Sequence, residues 1–247
     1  MIRAYEIYNY LNEIAPFSAQ LQWDNSGFLV GDMKSEVKKV LLTLDVTDEV
    51  VKEAIYGKFD LIVSHHPIIF KGQTAFLSSS LSYKCATNNI SVISSHTSYD
   101  VADGGVNDVL AEAIGLKNIE KSPNGEFRIG DTEEMETALF ALLVKNKLNT
   151  IVRFNNTKKM VKKIAVCGGA ATEYMYEARD LGADVFLTGD GKHHEFLNAD
   201  EIGFCLMSAG HFETEVIAVK SLLDRMKLKF DGVTFEMSKE KTPIITI

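Results

Sequence analysis

One stretch of this chain is written twice. Val37-Lys38-Lys39-Val40 is matched by Val161-Lys162-Lys163-Ile164, and at the same offset Glu53-Ala54 meets Glu177-Ala178. Asp60-Leu61-Ile62-Val63-Ser64 then meets Asp184-Val185-Phe186-Leu187-Thr188, with no gap needed from Val37 to His66. After a short deletion, Ile93-Ser94-Ser95-His96 aligns with Ser208-Ala209-Gly210-His211, and Asp100 falls on Glu215. Self-similarity at a fixed offset is the trace of an internal repeat, and this period is too long for a solenoid. The chain is therefore expected to fold as two similar lobes.

Each lobe alternates β-rich runs with amphipathic stretches. Val40 to Leu44 reads as a buried strand, and Val50, Val51, Ala54 and Ile55 follow at helical spacing. Leu61-Ile62-Val63 and Ile90-Ser91-Val92-Ile93 are further strands, and Val106, Leu110, Ala113 and Ile114 make a helical stripe. Such alternation predicts an α/β fold, a mixed sheet with helices in each lobe. Thr132–Leu148 is predicted to be amphipathic and to be the counterpart of an N-terminal helix around Tyr5–Ile14. Pro123-Asn124-Gly125 is a turn signal, which places the lobes approximately at 1–125 and 126–247.

A chain of 247 residues holds one large domain or two small ones. Its 46% apolar and 24% charged content supports a core without staples. The net charge of −8 is the wrong sign for a general nucleic-acid binder. Lys158, Lys159, Lys162 and Lys163 are read as a solvated strand start, with a local basic patch as the alternative. No apolar run reaches the roughly 20 residues that span a bilayer. The N-terminus lacks a basic-then-apolar signal pattern, so a cytoplasmic location is expected. Cys85, Cys167 and Cys205 lie far apart in apolar contexts and are expected to be buried free thiols.

The histidines carry the chemistry. Ser94-Ser95-His96-Thr97-Ser98-Tyr99-Asp100 and Ala209-Gly210-His211-Phe212-Glu213-Thr214-Glu215 share one pattern: a small pair, a histidine and a carboxylate four places on. Ser64-His65-His66-Pro67 ends an apolar run, and Pro67 stops the strand so that both imidazoles can serve one cluster. Ligands in open α/β sheets bind beyond the carboxyl ends of strands. Imidazole and carboxylate together suit divalent transition metals. If a helix starts at His211, Glu215 projects from the same face; around Asp100 a loop is predicted instead. A carboxylate can bridge two ions where an imidazole cannot, and Glu215, with the longer side chain, is favoured over Asp100. His193-His194 faces either substrate or solvent, and Trp23-Asp24-Asn25-Ser26-Gly27 with Gly31-Asp32 is either a substrate loop or ordinary turn chemistry. Gly104-Gly105 and Gly168-Gly169 make no phosphate-binding fingerprint, and no nucleophile elbow is present.

Together, Trp23 to Gly27, Ser64 to Pro67, His96 to Asp100, Gly104-Gly105-Val106-Asn107-Asp108, Thr188-Gly189-Asp190 and Gly210 to Glu215 resemble the GTP cyclohydrolase 1 type 2 homologues, the Nif-three-like proteins. The resemblance implies two intertwined α/β lobes, a dinuclear metal centre and a toroidal homohexamer. It implies His65, His66, Asp100, His211 and Glu215 as ligands of two divalent ions per subunit, whether zinc, iron or manganese, with His96 beside them. Relatives with an extra domain between the halves are longer; this chain resembles the short form. Two functions follow as expectations. One is a metal-dependent hydrolase of a nucleotide- or pterin-like small molecule, with His96 as general base or orienter. The other is a non-catalytic metal-binding regulatory or interaction protein in a ring.

Overall fold

The apolar runs become the centres of two mixed sheets. The structure is a computed structural model and describes residues 1–245. In chain order its elements are β1 (Ile2–Arg3), α1 (Ala4–Ile14), β2 (Gly27–Val30), β3 (Glu36–Val37), β4 (Lys39–Thr43), α2 (Asp48–Tyr56), β5 (Leu61–Ser64), α3 (Leu81–Thr87), β6 (Ser91–Ser94), α4 (Thr97–Val101) and α5 (Val106–Ala113). They continue with β7 (Lys117–Lys121), β8 (Arg128–Glu136), α6 (Thr137–Leu148), β9 (Arg153–Phe154), β10 (Met160–Val166), α7 (Met175–Asp180), β11 (Val185–Thr188), α8 (His193–Glu201), β12 (Cys205–Ser208), α9 (His211–Lys229) and β13 (Thr234–Met237). One compact unit comprises residues 1–103 and 219–241, the other 104–218 and the segment from 242. The Pro123–Gly125 turn joins β7 to β8 inside the second unit, and the chain returns to the first unit within α9.

The first unit's sheet has the order β13-β4-β5-β6-β2, parallel except for β2. Strands β5 and β6 are buried at every residue, as parallel strands covered on both faces are. Leu41, Ile62 and Val92 pack on Val50, Val51 and Ala54 of α2 and on Cys85 of α3. Helix α2 starts where Thr47 accepts a hydrogen bond from the Val50 amide, with Asp48 and Glu49 suiting the positive end of the helix dipole.

The second unit's sheet has the order β7-β8-β10-β11-β12-β9, with β10, β11 and β12 parallel and the flanking pairs antiparallel. Alternate side chains serve opposite faces. Ile164, Val166, Val185 and Leu187 meet Leu110, Phe140 and Val144. Ala165, Phe186 and Leu206 meet Met175, Ala178 and Ala199 on the other face.

Residues that match in sequence make the same bonds in each unit. Asp60 Oδ2 accepts from the Lys38 and Lys39 amides at 2.8 and 2.9 Å. Asp184 Oδ2 accepts from the Lys162 and Lys163 amides, both at 3.0 Å. Beyond the strands, Ser95 N donates to Ser64 O and Ala209 N to Thr188 O, each at 2.9 Å, so the structure matches Ser94 with Ser208 and Ser95 with Ala209, one residue away from the alignment that sets His96 on His211.

Two local expectations change. Residues 132–136 extend β8, and the helix starts only at Thr137. The loop predicted at Ser98-Tyr99 is the short helix α4, because Tyr99 is buried and the Asp24 carboxylate accepts from the Thr97 amide at its start. All three cysteines are buried thiols. Among the described residues, no helix is long and apolar enough to cross a membrane.

Candidate metal centre

In the first unit, the chain leaves β5 with its backbone still tied to β4. His65 N and His66 N donate to Thr43 O and Leu44 O. His96 lies two residues beyond β6. The three imidazoles meet with centroids 5.0, 5.1 and 5.3 Å apart, and one nitrogen from each lies within 4.8 Å of the others.

Each ring is anchored through Nδ1. His65 Nδ1 is 2.9 Å from Ser95 O, His66 Nδ1 is 2.8 Å from Asp45 Oδ1, and His96 Nδ1 is 2.8 Å from Asp24 Oδ1. A carbonyl and two carboxylates can only accept, so Nδ1 carries a proton, and in the neutral ring Nε2 keeps its lone pair. Asp100, on α4, places Oδ1 3.3 Å from His65 Nε2. That oxygen is buried and takes no hydrogen bond among the described residues. A neutral ring turned this way faces its lone pair to a carboxylate oxygen, an arrangement that a cation held by both would satisfy.

The second unit builds the same pairing on a helix. His211 opens α9; its Nδ1 is 2.8 Å from Asp190 Oδ2 and its Nε2 is 3.2 Å from Glu215 Oε2, one turn on. The buried Glu215 carboxylate beside Nε2, with Asp190 adding to it and burial opposing, pushes the His211 pKa up to about 9. Glycines clear the space. A Cβ on Gly169, whose φ is +65°, would sit 2.2 Å from Glu215 Oε1, and one on Gly189 would sit 2.7 Å from His211 Cα. Gly168-Gly169 therefore admits a carboxylate, as only residues without Cβ can.

Three aspartates went unassigned in the sequence. Asp45 and Asp190 each follow a strand end, and Asp24 sits in the Trp23–Gly27 turn. Their signal is chemical: a histidine that ligates through Nε2 needs an acceptor for Nδ1. Asp24 also accepts from Thr97 Oγ1 at 2.7 Å and from Ser26 Oγ at 3.0 Å. Against the cost of burial, these bonds, led by that from His96, hold its carboxyl well below the usual range. His193 and His194 are exposed at the start of α8 and join no metal-capable group among the described residues.

The donor set of imidazole nitrogens and carboxylate oxygens, with Nδ1 anchored behind it, fits a divalent transition metal. Near His211, a cavity of about 690 Å³ is lined by Lys145, Thr150, Arg153, Asp190, Gly210 and Glu213, among others.

Known proteins share this arrangement of chain. Residues 2–243 match the Duf34/NIF3 (NGG1p interacting factor 3) family. A Campylobacter jejuni protein named GTP cyclohydrolase 1 type 2 homolog is 39% identical over 222 residues, covering 85% of this chain and 86% of the relative. A Clostridium perfringens protein of the same name is 32% identical over 250 residues, covering 95% of each. The crystal structure of Staphylococcus aureus protein SA1388 superposes with a TM-score of 0.91 at 31% identity, covering 100% of this chain and 99% of that one. The chain belongs to the Duf34/NIF3 family.

Proposed function

We propose that His65, His66, Asp100, His211 and Glu215 together hold two divalent ions, and that the protein is a metal-dependent hydrolase. One observation carries this reading. In each unit an imidazole anchored through Nδ1 turns Nε2 to a carboxylate oxygen, at 3.3 Å in one and 3.2 Å in the other. Zinc, iron and manganese all suit such mixed ligation. Bound ions would supply Lewis acidity, lowering the pKa of a water and polarising a carbonyl or phosphoryl oxygen.

The chain's own groups do the rest. Ser95 O, Asp45 and Asp190 fix the tautomer and aim of His65, His66 and His211. Asp24 holds the proton on Nδ1 of His96, so that Nε2 can take one from a water or substrate. The cavity near His211 is lined by both charges, Lys145 and Arg153 with Asp190 and Glu213, which suits a polar small molecule. The names of the relatives bring in a nucleotide- or pterin-like compound, and the family resemblance brings in a ring hexamer.

Metal analysis of the purified protein, with a panel of nucleotides, pterins and phosphoesters, tests the proposal. Two ions per chain and turnover lost in Glu215→Ala are expected. Turnover unchanged in Glu215→Ala sinks the mechanism. Sedimentation of the same sample tests the hexamer.

A further inference from the structure

We infer that Trp23 and Phe70 form a bracket beside His96 that binds a planar heteroaromatic ring. The inference rests on the hydrolase reading only in making that ring part of the substrate. Trp23 is 61% and Phe70 45% exposed. Large aromatic side chains normally bury most of their surface. Both converge on one imidazole, Trp23 at 5.7 Å and 70° and Phe70 at 5.6 Å and 88°. Edge-to-face contact with His96 fixes each ring and leaves aromatic surface open to a further partner.

The bracket is held from behind. Asp24, next to Trp23, binds His96 Nδ1 at 2.8 Å and the Thr97 amide at 3.1 Å. Asn25 Nδ2 donates at 2.5 Å to the carbonyl of Ile69, next to Phe70. The neighbours of the two aromatics are thus bonded to the site and to each other, so both rings are set before any ligand arrives. Preorganised aromatic surfaces recognise flat bases by stacking, a contact that tolerates differences in ring substituents. A purine or pterin has the shape and the π-face; a sugar phosphate has neither.

Trp23 is the chain's one tryptophan, so its fluorescence, excited at the red edge, reports this site alone. Metal-loaded protein is titrated with guanosine and pterin, and with the ring-free probes ribose 5-phosphate and tripolyphosphate. A saturable change with the ring compounds and none with the ring-free ones is expected. Phe70→Leu, which keeps bulk without a π-face, should weaken ring binding about ten-fold with the melting temperature unchanged. No saturable response, an equal response to the ring-free probes, or unaltered affinity in Phe70→Leu overturns the bracket. Glu215→Ala separates the two proposals. Trp23, Phe70 and His96 all belong to the first unit and Glu215 to the second, so ring binding should survive there even as turnover is lost. Its loss in that variant overturns the bracket, whereas a wild-type protein without ions or turnover that still binds the rings removes only the hydrolase.

Discussion

Asp45 Oδ1 and His66 Nδ1 lie 2.8 Å apart, and that bond leaves Nε2 as the nitrogen open to the proposed metal. Asp190 does the same for His211. Removing such an orienting carboxylate typically costs about 10–100-fold in metal affinity. Asp45→Ala and Asp190→Ala should each show a loss of that size in competitive titration against a chelator, with the fold intact by circular dichroism. Affinity equal to wild type in both would mean that neither aspartate orients a ligand.

Gly169 is the most sensitive glycine of the second half-site. With φ at +65° and Glu215 Oε1 2.2 Å from where a Cβ would stand, Gly169→Ala must displace the carboxylate. The expected result is metal binding weakened by about ten-fold or more. Gly182→Ala is the control. Its φ is +81° but nothing lies within 4 Å of the added Cβ, so backbone strain appears there without metal loss.

His96→Ala distinguishes a proton carrier from a ligand. As the proton carrier, its loss leaves two ions per chain and lowers turnover by about 10²–10⁴-fold. An ion count reduced by one would instead make His96 a ligand.

Asp184 links stability to pH. Burial opposes its ionisation, but the amides of Lys163 and Lys162 and the Lys158 ammonium hold its pKa below the ordinary 3.8. A depressed carboxylate stabilises the fold above its unfolded pKa and loses that contribution as pH falls through the folded value. Wild type should therefore exceed Asp184→Asn by about 1 kcal/mol near neutrality. The gap should hold steady above about pH 5 and narrow as pH falls below about 4. Urea unfolding across that range reads it, and a gap that widens in acid has the wrong sign.

Burial pushes the Cys85 thiol up to about 11 and that of Cys205 up to about 12. Neither forms much thiolate at neutral pH. An aromatic disulfide reagent should leave both unreacted in the native protein and titrate all three cysteines once the chain is unfolded.

Much of this was legible because strand ends announce themselves. His65, His96 and His211 each follow an apolar run closely, and beyond Glu215 the apolar positions Val216, Val219, Leu222 and Leu223 recur at helical spacing. The repeated Val-Lys-Lys and Asp positions proved to be places where an aspartate ties two backbone amides. Other parts were not legible. Helix α4 spans only five residues, too few for periodicity, and depends on a cap from Asp24, far away in sequence. Asp24, Asp45 and Asp190 act through space, and nothing local separates them from aspartates of ordinary turns. The path of the chain was hidden for the same reason, since β13 earns its place only by pairing with β4.

That pairing has a consequence for biosynthesis. Thr234 to Met237 lie in register with Lys39 to Leu42, Ser238 Oγ is 2.9 Å from Thr43 Oγ1, and Glu240 accepts from the Asp45 amide. The rim that carries Asp45 is thus finished by a segment that lies 195 residues further along the chain. A nascent chain still short of that segment has no settled berth for the carboxylate that steers His66, so the first unit is completed only after the whole of the second unit's 104–218 segment has been made.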